Sequence, residues 1–178
     1  PTIYIHQDGG SRGQPRPSPA LSAPRTIVST TTTSSDPTIL AARREMQSWK
    51  LLALEPSAMR QEDRFISPNH ISSNGAHMAA ALYRLATQAV GDEGPDPEAA
   101  YSRIANRASA LVRVRGLRVD RDDQRRRLTL QMKEPGGDYL PARALSDGTL
   151  RFLALCIMDA DPTMTGVLCM EEPENGIH

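Results

Sequence analysis

The chain has 178 residues, of which 39% are hydrophobic, 24% are charged and 4% are aromatic, and its 21 basic side chains balance 21 acidic ones. The length fits about one domain, and the sequence contains neither an apolar run of ~18 residues that would cross a membrane nor a secretory signal. Cys156 and Cys169 are too few for a disulfide framework, and both lie in apolar runs. We therefore expect two buried thiols in a protein of the reducing cytoplasm.

The N-terminal part of the chain is predicted to be mostly loop. Isoleucines alternate with polar residues over 1–6, which predicts a short strand. Residues 7–24 are rich in glycine, proline, serine and arginine, a loop composition. The threonine- and serine-rich tract 26–35 favours a surface loop with a short strand near Ile27 and Val28.

Three helices are predicted next. Asp36-Pro37 and Asp96-Pro97 each place a capping side chain before a proline that suits the first helical position. Apolar residues then recur at helical spacing. The helices are predicted over 37–49, from Asn74 towards Gly91, and from Pro97 to Leu111, with a short strand at 50–54 after the first helix.

The apolar period then changes to two, which predicts a β-hairpin over residues 112–134. Val112, Val114, Leu117 and Val119 alternate with charged residues, except that Gly116 shifts the register. A β-bulge at Gly116 would explain the shift.

Arginines crowd this hairpin and allow two interpretations. One is a solvated face with local ion pairs to the nearby aspartates. The other is a contact with the phosphate backbone of DNA, without base stacking because no aromatic residues are interleaved. The arginines assigned to such a contact are Arg113, Arg115, Arg118, Arg125, Arg126 and Arg127.

The stretch 145–178, LSDGTLRFLALCIMDADPTMTGVLCMEEPENGIH, contains the residues that predict chemistry. Ser146 begins an apolar helix, and the free N–H groups and dipole of a helix N-terminus favour anions. The continuously apolar run 167–170 predicts a strand buried on both faces of a parallel sheet, and it leads directly into Glu171-Glu172. Carboxylates at such a strand end can hold Mg²⁺ and activate a water molecule. The combination indicates nucleotide hydrolysis.

The same stretch resembles a known family. Leu145-Ser146-Asp147-Gly148-Thr149 resembles the signature motif of ATP-binding-cassette (ABC) ATPases. Residues 167–172 resemble their Walker B strand, and 173–178 resemble the D-loop of soluble RecF-like and SMC-like ATPases. The upstream stretches 54–60 and 73–78 are similar to those of bacterial AAA-family ATPases with a cassette-type head. The resemblance covers roughly residues 37–178.

The resemblance implies a role for each residue of the signature-like turn. Ser146 and the backbone of Gly148, within a turn that also holds Asp147 and Thr149, would contact the γ-phosphate of ATP. That ATP would be held by the opposite subunit of a homodimer, between the two heads. Asp147 stands where transporter cassettes have glycine, so its side chain is expected to point away from the phosphate.

It also implies roles for the acidic residues that follow. Glu171 would hold the Mg²⁺ shell, and Glu172 would be the general base for the attacking water. Asn175 and His178 would lie in the D-loop near the dimer interface.

The fold class expected from the resemblance is an α/β P-loop NTPase of ABC type, with a mainly parallel sheet, flanking helices and an antiparallel hairpin. Residues 1–36 would be a strand and loop, followed by a partial head over 37–178. The parts of that head are a helical region at 37–111, the hairpin at 112–134, and the signature helix with the Walker B strand at 145–178.

The phosphate-binding loop G-x-x-x-x-G-K-[ST] is absent from the 178 residues, since the glycines between Gly9 and Gly13 are accompanied by no lysine. We therefore expect this chain to be the middle of a longer ATPase and to be inactive alone. The alternative is a non-catalytic module that keeps the fold and binds DNA or a protein.

Overall fold

The computed structural model describes residues 1–6, 15–32, 36–88 and 94–171. The chain forms two compact units, Pro1–Trp49 and Lys50–His178. Within the described residues, no helix is both long enough and apolar enough to cross a membrane. The predicted division of the chain at residue 36 stays a prediction.

The first unit contains a strand pair and two helices. Strand β1 (Thr2–Ile5) pairs antiparallel with β2 (Arg16–Pro19), and the helices are α1 (Ile27–Thr30) and α2 (Pro37–Ser48). Helix α2 was predicted to within one residue. The carboxylate of Asp36, at its N-cap, makes no capping hydrogen bond and instead pairs with the guanidinium of Arg16.

The strand predicted near Ile27 and Val28 is wrong, because these residues form the single turn of α1. The Oγ1 atom of Thr26 accepts a hydrogen bond from the backbone N–H of Ser29 at 3.3 Å, and the hydroxyl of Ser29 donates to the carbonyl of Thr26 at 2.8 Å. Such local side-chain bonds to the backbone compete with strand pairing and favour the helical turn at Ile27–Thr30.

The second unit contains the remaining helices and strands. In chain order they are β3 (Lys50–Leu52), α3 (Pro56–Met59), β4 (Asp63–Arg64), α4 (Met78–Thr87), α5 (Pro97–Ala108), β5 (Gly116–Asp122), β6 (Arg127–Lys133), β7 (Tyr139–Pro141), a short 3-10 turn (Ala142–Ala144), α6 (Asp147–Asp159) and β8 (Leu168–Met170).

An antiparallel sheet forms around β6. Strand β5 pairs along the full length of β6, while β4 and β7 pair with its beginning and its end on the other side. Alternate side chains of the hairpin, such as Leu128 and Leu130, are buried. The hairpin prediction is therefore confirmed.

The predicted bulge at Gly116 stays a prediction. Gly116 is the first residue of β5 and pairs with Lys133, and the N–H of the preceding Arg115 also donates to the carbonyl of Lys133 at 2.7 Å. The change in the apolar pattern therefore marks the start of the strand. A Cβ atom at Gly116 would lie 3.0 Å from the hydroxyl of Tyr139, which makes a small residue suitable there.

Helices α4, α5 and α6 pack together, and α4 and α5 also pack against the antiparallel sheet. Asp96 caps α5 as predicted, since its carboxylate accepts from the N–H of Ala99 at 3.0 Å. Helix α5 ends at Ala108, and Leu111, which was predicted to continue its buried face, is 67% exposed. The core residues contributed by the three helices include Leu82, Ala86, Ile104, Ala108, Leu150, Leu153 and Ile157.

Strand β8 pairs in parallel with β3, so that Lys50 lies opposite Leu168. The parallel pairing was predicted, but the burial on both faces was not correct: Leu168 is 40% exposed and Cys169 is also exposed. In the described part of the chain, β8 pairs with β3 and makes no more than weak contacts with the helices, so its faces are not covered. Only Cys156, in α6, is buried as predicted. The described fold is mixed α/β, with parallel and antiparallel pairs.

Candidate functional site

The N-terminal turn of α6 begins at Ser146, as the sequence predicts. The hydroxyl oxygen of Ser146 accepts from the N–H of Thr149 at 3.2 Å, and the hydroxyl group donates to Oγ1 of Thr149 at 2.9 Å. Ser146 is exposed, whereas Gly148 is buried. The turn therefore presents its capping serine to solvent while its glycine packs inwards.

Asp147, in the same turn, is tied to a residue from a distant part of the sequence. The guanidinium of Arg60, at the C-terminal end of α3, donates to Oδ1 of Asp147 at 2.5 Å and to the carbonyl of Leu145 at 2.9 Å. Both contacts come from the same nitrogen, Nη2. Arg60 thus offsets the charge of Asp147 and fixes the backbone just before the turn.

The acidic end of β8 is only partly described. Glu171 follows the last residue of β8 directly and is exposed. Glu172, Asn175 and His178 lie outside the described residues, so their predicted roles stay predictions. Across residues 1–6, 15–32, 36–88 and 94–171, no group of three or more histidine, cysteine, aspartate or glutamate side chains is placed to hold a metal ion.

A buried Asp63 connects β4 to the start of α4. One carboxylate oxygen lies 2.7 Å from Nδ1 of His77, and the other accepts from the N–H of Ala80 at 2.9 Å. His77 is the residue before α4 and adopts the left-handed conformation, with φ of 70°. Asp63 therefore caps the helix in place of a residue next to it in sequence. Sequence reasoning missed this contact.

A second buried carboxylate, Asp161, follows the C-terminal end of α6. It pairs with the guanidinium of Arg84 on α4, and it accepts from both the N–H and the hydroxyl of Thr163, at 2.9 and 2.7 Å. Burial alone would raise the pKa of Asp161, but the hydrogen bonds from Thr163 and the charge of Arg84 outweigh it and lower the pKa. The contact holds α6 against α4.

The hairpin arginines do not form one patch. Arg118 donates to Oε1 of Gln131 at 2.8 Å and lies over the ring of Tyr139. The side chain of Arg121 bonds to Asp123 and to the hydroxyl of Tyr83, and these hydrogen bonds raise its pKa. These two arginines fit the interpretation of a solvated face with local partners.

The described fold and the helix-to-strand arrangement around α6 and β8 are compatible with an ATPase domain of the P-loop class. A family model described as "AAA domain, putative AbiEii toxin, Type IV TA system" matches residues 29–178. The chain therefore belongs to this AAA-domain family, which supports an ATP-binding and ATP-hydrolysing function in general terms. A search of curated proteins found no match, and neither did a search of solved structures.

Proposed function

We propose that this chain supplies the signature-like turn and the Walker B-like strand of a composite ATP site in an ABC-type, RecF/SMC-like ATPase head. The observation that supports the proposal best is the turn at Ser146, which is capped, exposed, and braced by Arg60. The strand β8, which leads into the glutamates, follows the same helix in the order that the resemblance requires. The site would be completed by ATP bound to a second copy.

The first part of the mechanism is recognition of the γ-phosphate in trans. Ser146 would offer its hydroxyl, which now donates to Thr149, together with the backbone at Gly148. The N-terminal end of a helix attracts anions through its free N–H groups and its dipole. Helix α6 is 13 residues long, so its dipole is fully developed at this turn.

Arg60 compensates for the negative charge that Asp147 places in the signature-like turn. A carboxylate in this turn would repel a phosphate, but the guanidinium at 2.5 Å compensates for its charge. The side chain of Asp147 is 52% exposed, so the pair contributes about 1 kcal/mol or less to folding stability. We infer that its main effect is on the charge that an incoming phosphate meets.

The second part of the mechanism concerns Glu171 and Glu172. Glu171 is exposed at the carboxyl end of β8, so its oxygens are accessible, and carboxylate oxygens suit Mg²⁺. When bound, Mg²⁺ would neutralise charge on the phosphates. Glu172 would take the proton from the attacking water, with Asn175 and His178 in the D-loop beside the partner.

The test uses the complete gene product and the substitution Glu172→Gln, which keeps the shape of the side chain and removes the base. We expect ATP turnover to be lost while ATP binding is preserved, and the trapped ATP to stabilise the dimer. The matched control is Glu134→Gln, the same change at an exposed turn residue far from α6 in sequence. Wild-type turnover in Glu172→Gln would exclude it as the base, and loss of binding would assign it to the metal or to the structure.

A second experiment tests whether Ser146 acts in trans. Ser146→Arg should leave ATP binding by each monomer nearly unchanged and abolish ATP-dependent dimerisation. Mixing it with a variant that lacks the phosphate-loop lysine should restore part of the turnover, because each heterodimer keeps one intact composite site. Full turnover by a monomer at high dilution would contradict the trans arrangement.

The alternative function is a non-catalytic module that keeps the fold and binds DNA or a protein. It is favoured by the lack of a G-x-x-x-x-G-K-[ST] loop in the sequence of 178 residues. The gene sequence around this chain distinguishes the two functions. A phosphate-binding loop upstream supports the enzyme, and a complete reading frame without one supports the binding module.

A further inference from the structure

Two adjoining clefts form a groove beside β4 and β6. One has a volume of about 520 Å³ and the other about 380 Å³, and both are lined by Arg64 and Arg127. We call the combined feature the basic groove. Its charged lining residues are Arg60, Arg64, Arg125, Arg126, Arg127, Arg143 and the single carboxylate Glu62.

The basic groove holds a strong local excess of positive charge. The lining holds six arginines and one glutamate, and two of the arginines pair with carboxylates outside it, Arg60 with Asp147 and Arg125 with Asp122. Three positive charges are left unopposed, although the whole chain has a net charge of zero. Glu62 lies 2.8 Å from Arg127 and 3.6 Å from Arg143. Asp120 and Asp122 border the groove on the β5 side. The excess is greatest in the smaller cleft, whose own lining includes no acid, although Arg125 there lies beside Asp122.

Two arginines of the smaller cleft, Arg64 and Arg126, have no carboxylate partner among the described residues. In the described part of the chain, neither Arg64 nor Arg126 has a carboxylate within ion-pair distance. The side chain of Arg125 is 80% exposed and forms a long ion pair with Asp122, at 3.7 Å. The guanidinium groups of Arg64 and Arg126 are therefore the ones available to a ligand.

The backbone beneath them is well defined. Arg64 pairs with Arg127 across the β4–β6 ladder, and the N–H of Phe65 donates to the carbonyl of Arg126 at 3.2 Å. The N–H of Arg64 also donates to the hydroxyl of Ser67 at 2.9 Å. The positive charges thus project from a hydrogen-bonded frame, which lowers the entropy lost when a ligand binds.

We propose that the basic groove binds the phosphate backbone of a nucleic acid without reading its sequence. Guanidinium groups match phosphate oxygens in geometry as well as in charge. Arginines distributed over two adjoining clefts suit an extended polyanion better than a single phosphate. The ring of Phe65 is half-buried and already has the guanidinium of Arg121 at 4.8 Å from its centre, which leaves little of it for base stacking. Backbone contacts alone are therefore expected, as with duplex DNA.

The arginines that line the groove differ in part from those that the sequence analysis assigned to a DNA contact. Arg113, Arg115 and Arg118 do not line the groove, whereas Arg60, Arg64 and Arg143 do. The proposal concerns a surface beside the ATP site and holds whether or not ATP is hydrolysed.

The test is binding of a fluorescent 20-base-pair duplex to the full chain, measured by anisotropy between 50 and 200 mM salt. If about four phosphates are neutralised, affinity should fall by roughly 100-fold over this range. Arg64→Gln combined with Arg126→Gln should weaken binding at least tenfold and reduce the salt slope by about 2. The matched control, Arg113→Gln combined with Arg115→Gln, removes the same charge outside the groove and should leave both quantities nearly unchanged.

A third pair, Arg64→Lys with Arg126→Lys, keeps the charge and should retain most of the affinity. Circular dichroism and thermal unfolding establish that each variant is folded, and the wild-type salt dependence tests the proposal without any substitution. The proposal is overturned if the wild type does not bind the duplex at 50 mM salt, or if the control pair weakens binding as much as the groove pair. It is also overturned if a poly-glutamate peptide of equal charge displaces the duplex as well as unlabelled duplex does, since the groove would then fit acidic proteins.

Discussion

Replacement of Asp63 should show how much of the fold depends on one buried carboxylate. Asp63 is 3% exposed and makes two hydrogen bonds, one with the ring of His77 and one from the N–H of Ala80. Asp63→Ala removes both acceptors. The N–H of Ala80 then remains buried at the start of α4 without a partner, because the N-terminal amides of a helix have no acceptor within the helix.

The size of the effect follows from these two bonds. A buried N–H left unsatisfied costs about 1–3 kcal/mol, and a typical side-chain hydrogen bond, here the one with His77, contributes about 0.5–1.5 kcal/mol. Asp63→Ala should therefore lower the free energy of unfolding by about 2–4 kcal/mol. Asp63→Asn should cost about 1 kcal/mol or less, because its amide oxygen can still accept from Ala80 and its NH₂ group can donate to His77.

The measurement is urea unfolding followed by far-ultraviolet circular dichroism, with the midpoint and slope fitted separately. Glu62→Ala is the control, since it removes the neighbouring carboxylate, whose ion pair with Arg127 is solvent-exposed and should contribute under ~1 kcal/mol. If Asp63→Ala costs no more than Glu62→Ala, the capping role is wrong. An asparagine variant as unstable as the alanine variant would show that the charge of Asp63, and not its hydrogen bonds, stabilises α4.

Two further predictions concern stability. Asp161→Asn should lower the free energy of unfolding at pH 7 by about 1–3 kcal/mol, because the groups that hydrogen-bond to the carboxylate lose their charged acceptor. The pKa of Asp161 is lower in the folded state than its ordinary value of 3.8, so its contribution is present above that value and is lost as the pH falls through the folded-state pKa. Urea unfolding of both proteins at pH 7 and near pH 2 checks this, and a difference that persists at the lower pH would contradict it. Gly75→Ala should cost about 2–5 kcal/mol, because φ there is 86° and the new Cβ would lie 2.5 Å from Cγ of Met59. Gly136→Ala, at φ of 77° with no atom within 4 Å, should cost about 1–2 kcal/mol, and equal costs for the two would exclude the steric contribution.

The helices were the most predictable part of the fold because their signals are local. Asp96 and Ser146 each cap a helix through a hydrogen bond that spans three residues, so the sequence alone contains both partners. Asp36 has the same Asp-Pro signal, and α2 begins where predicted, but its carboxylate pairs with Arg16. The predicted start of α2 is nevertheless correct, because proline suits the first helical position.

The strands were less predictable because burial depends on neighbours that are distant in sequence. The apolar run at 167–170 predicts a strand correctly but not its exposure, which depends on what covers the two faces of the sheet. Gly116 changes the pattern at a strand boundary, and only the pairing with Lys133 reveals it. Periodicity describes one strand at a time and contains no information about its partners.

In the candidate site too, the local feature was predicted and the contact between distant residues was not. Ser146 was identified from the motif, and the structure adds its exposure and its bond to Thr149. Arg60 is 87 residues away from Asp147 in the sequence, and no local pattern joins them. Arg60 is the last residue of the stretch 54–60, which resembles the family, but the resemblance assigned no role to this arginine.

Arg60 connects the two proposals made above. It lines the basic groove, and its guanidinium also holds the carbonyl of Leu145 and the carboxylate of Asp147. A phosphate that engages Arg60 from the groove competes with both acceptors for the same donors. The ion pair is weak enough to be exchanged, because the side chain of Asp147 is 52% exposed.

The consequence is a thermodynamic link between the groove and the signature-like turn. If Arg60 leaves Asp147 when nucleic acid binds, the uncompensated carboxylate repels the γ-phosphate, and ATP-dependent dimerisation weakens. Linkage then requires ATP to weaken nucleic-acid binding by the same factor. Measuring either factor on the complete protein tests the link without any substitution, since a factor of one would show that Arg60 does not exchange partners. Asp147→Asn removes the repulsion, so both factors should approach one in that variant while the groove still binds the duplex.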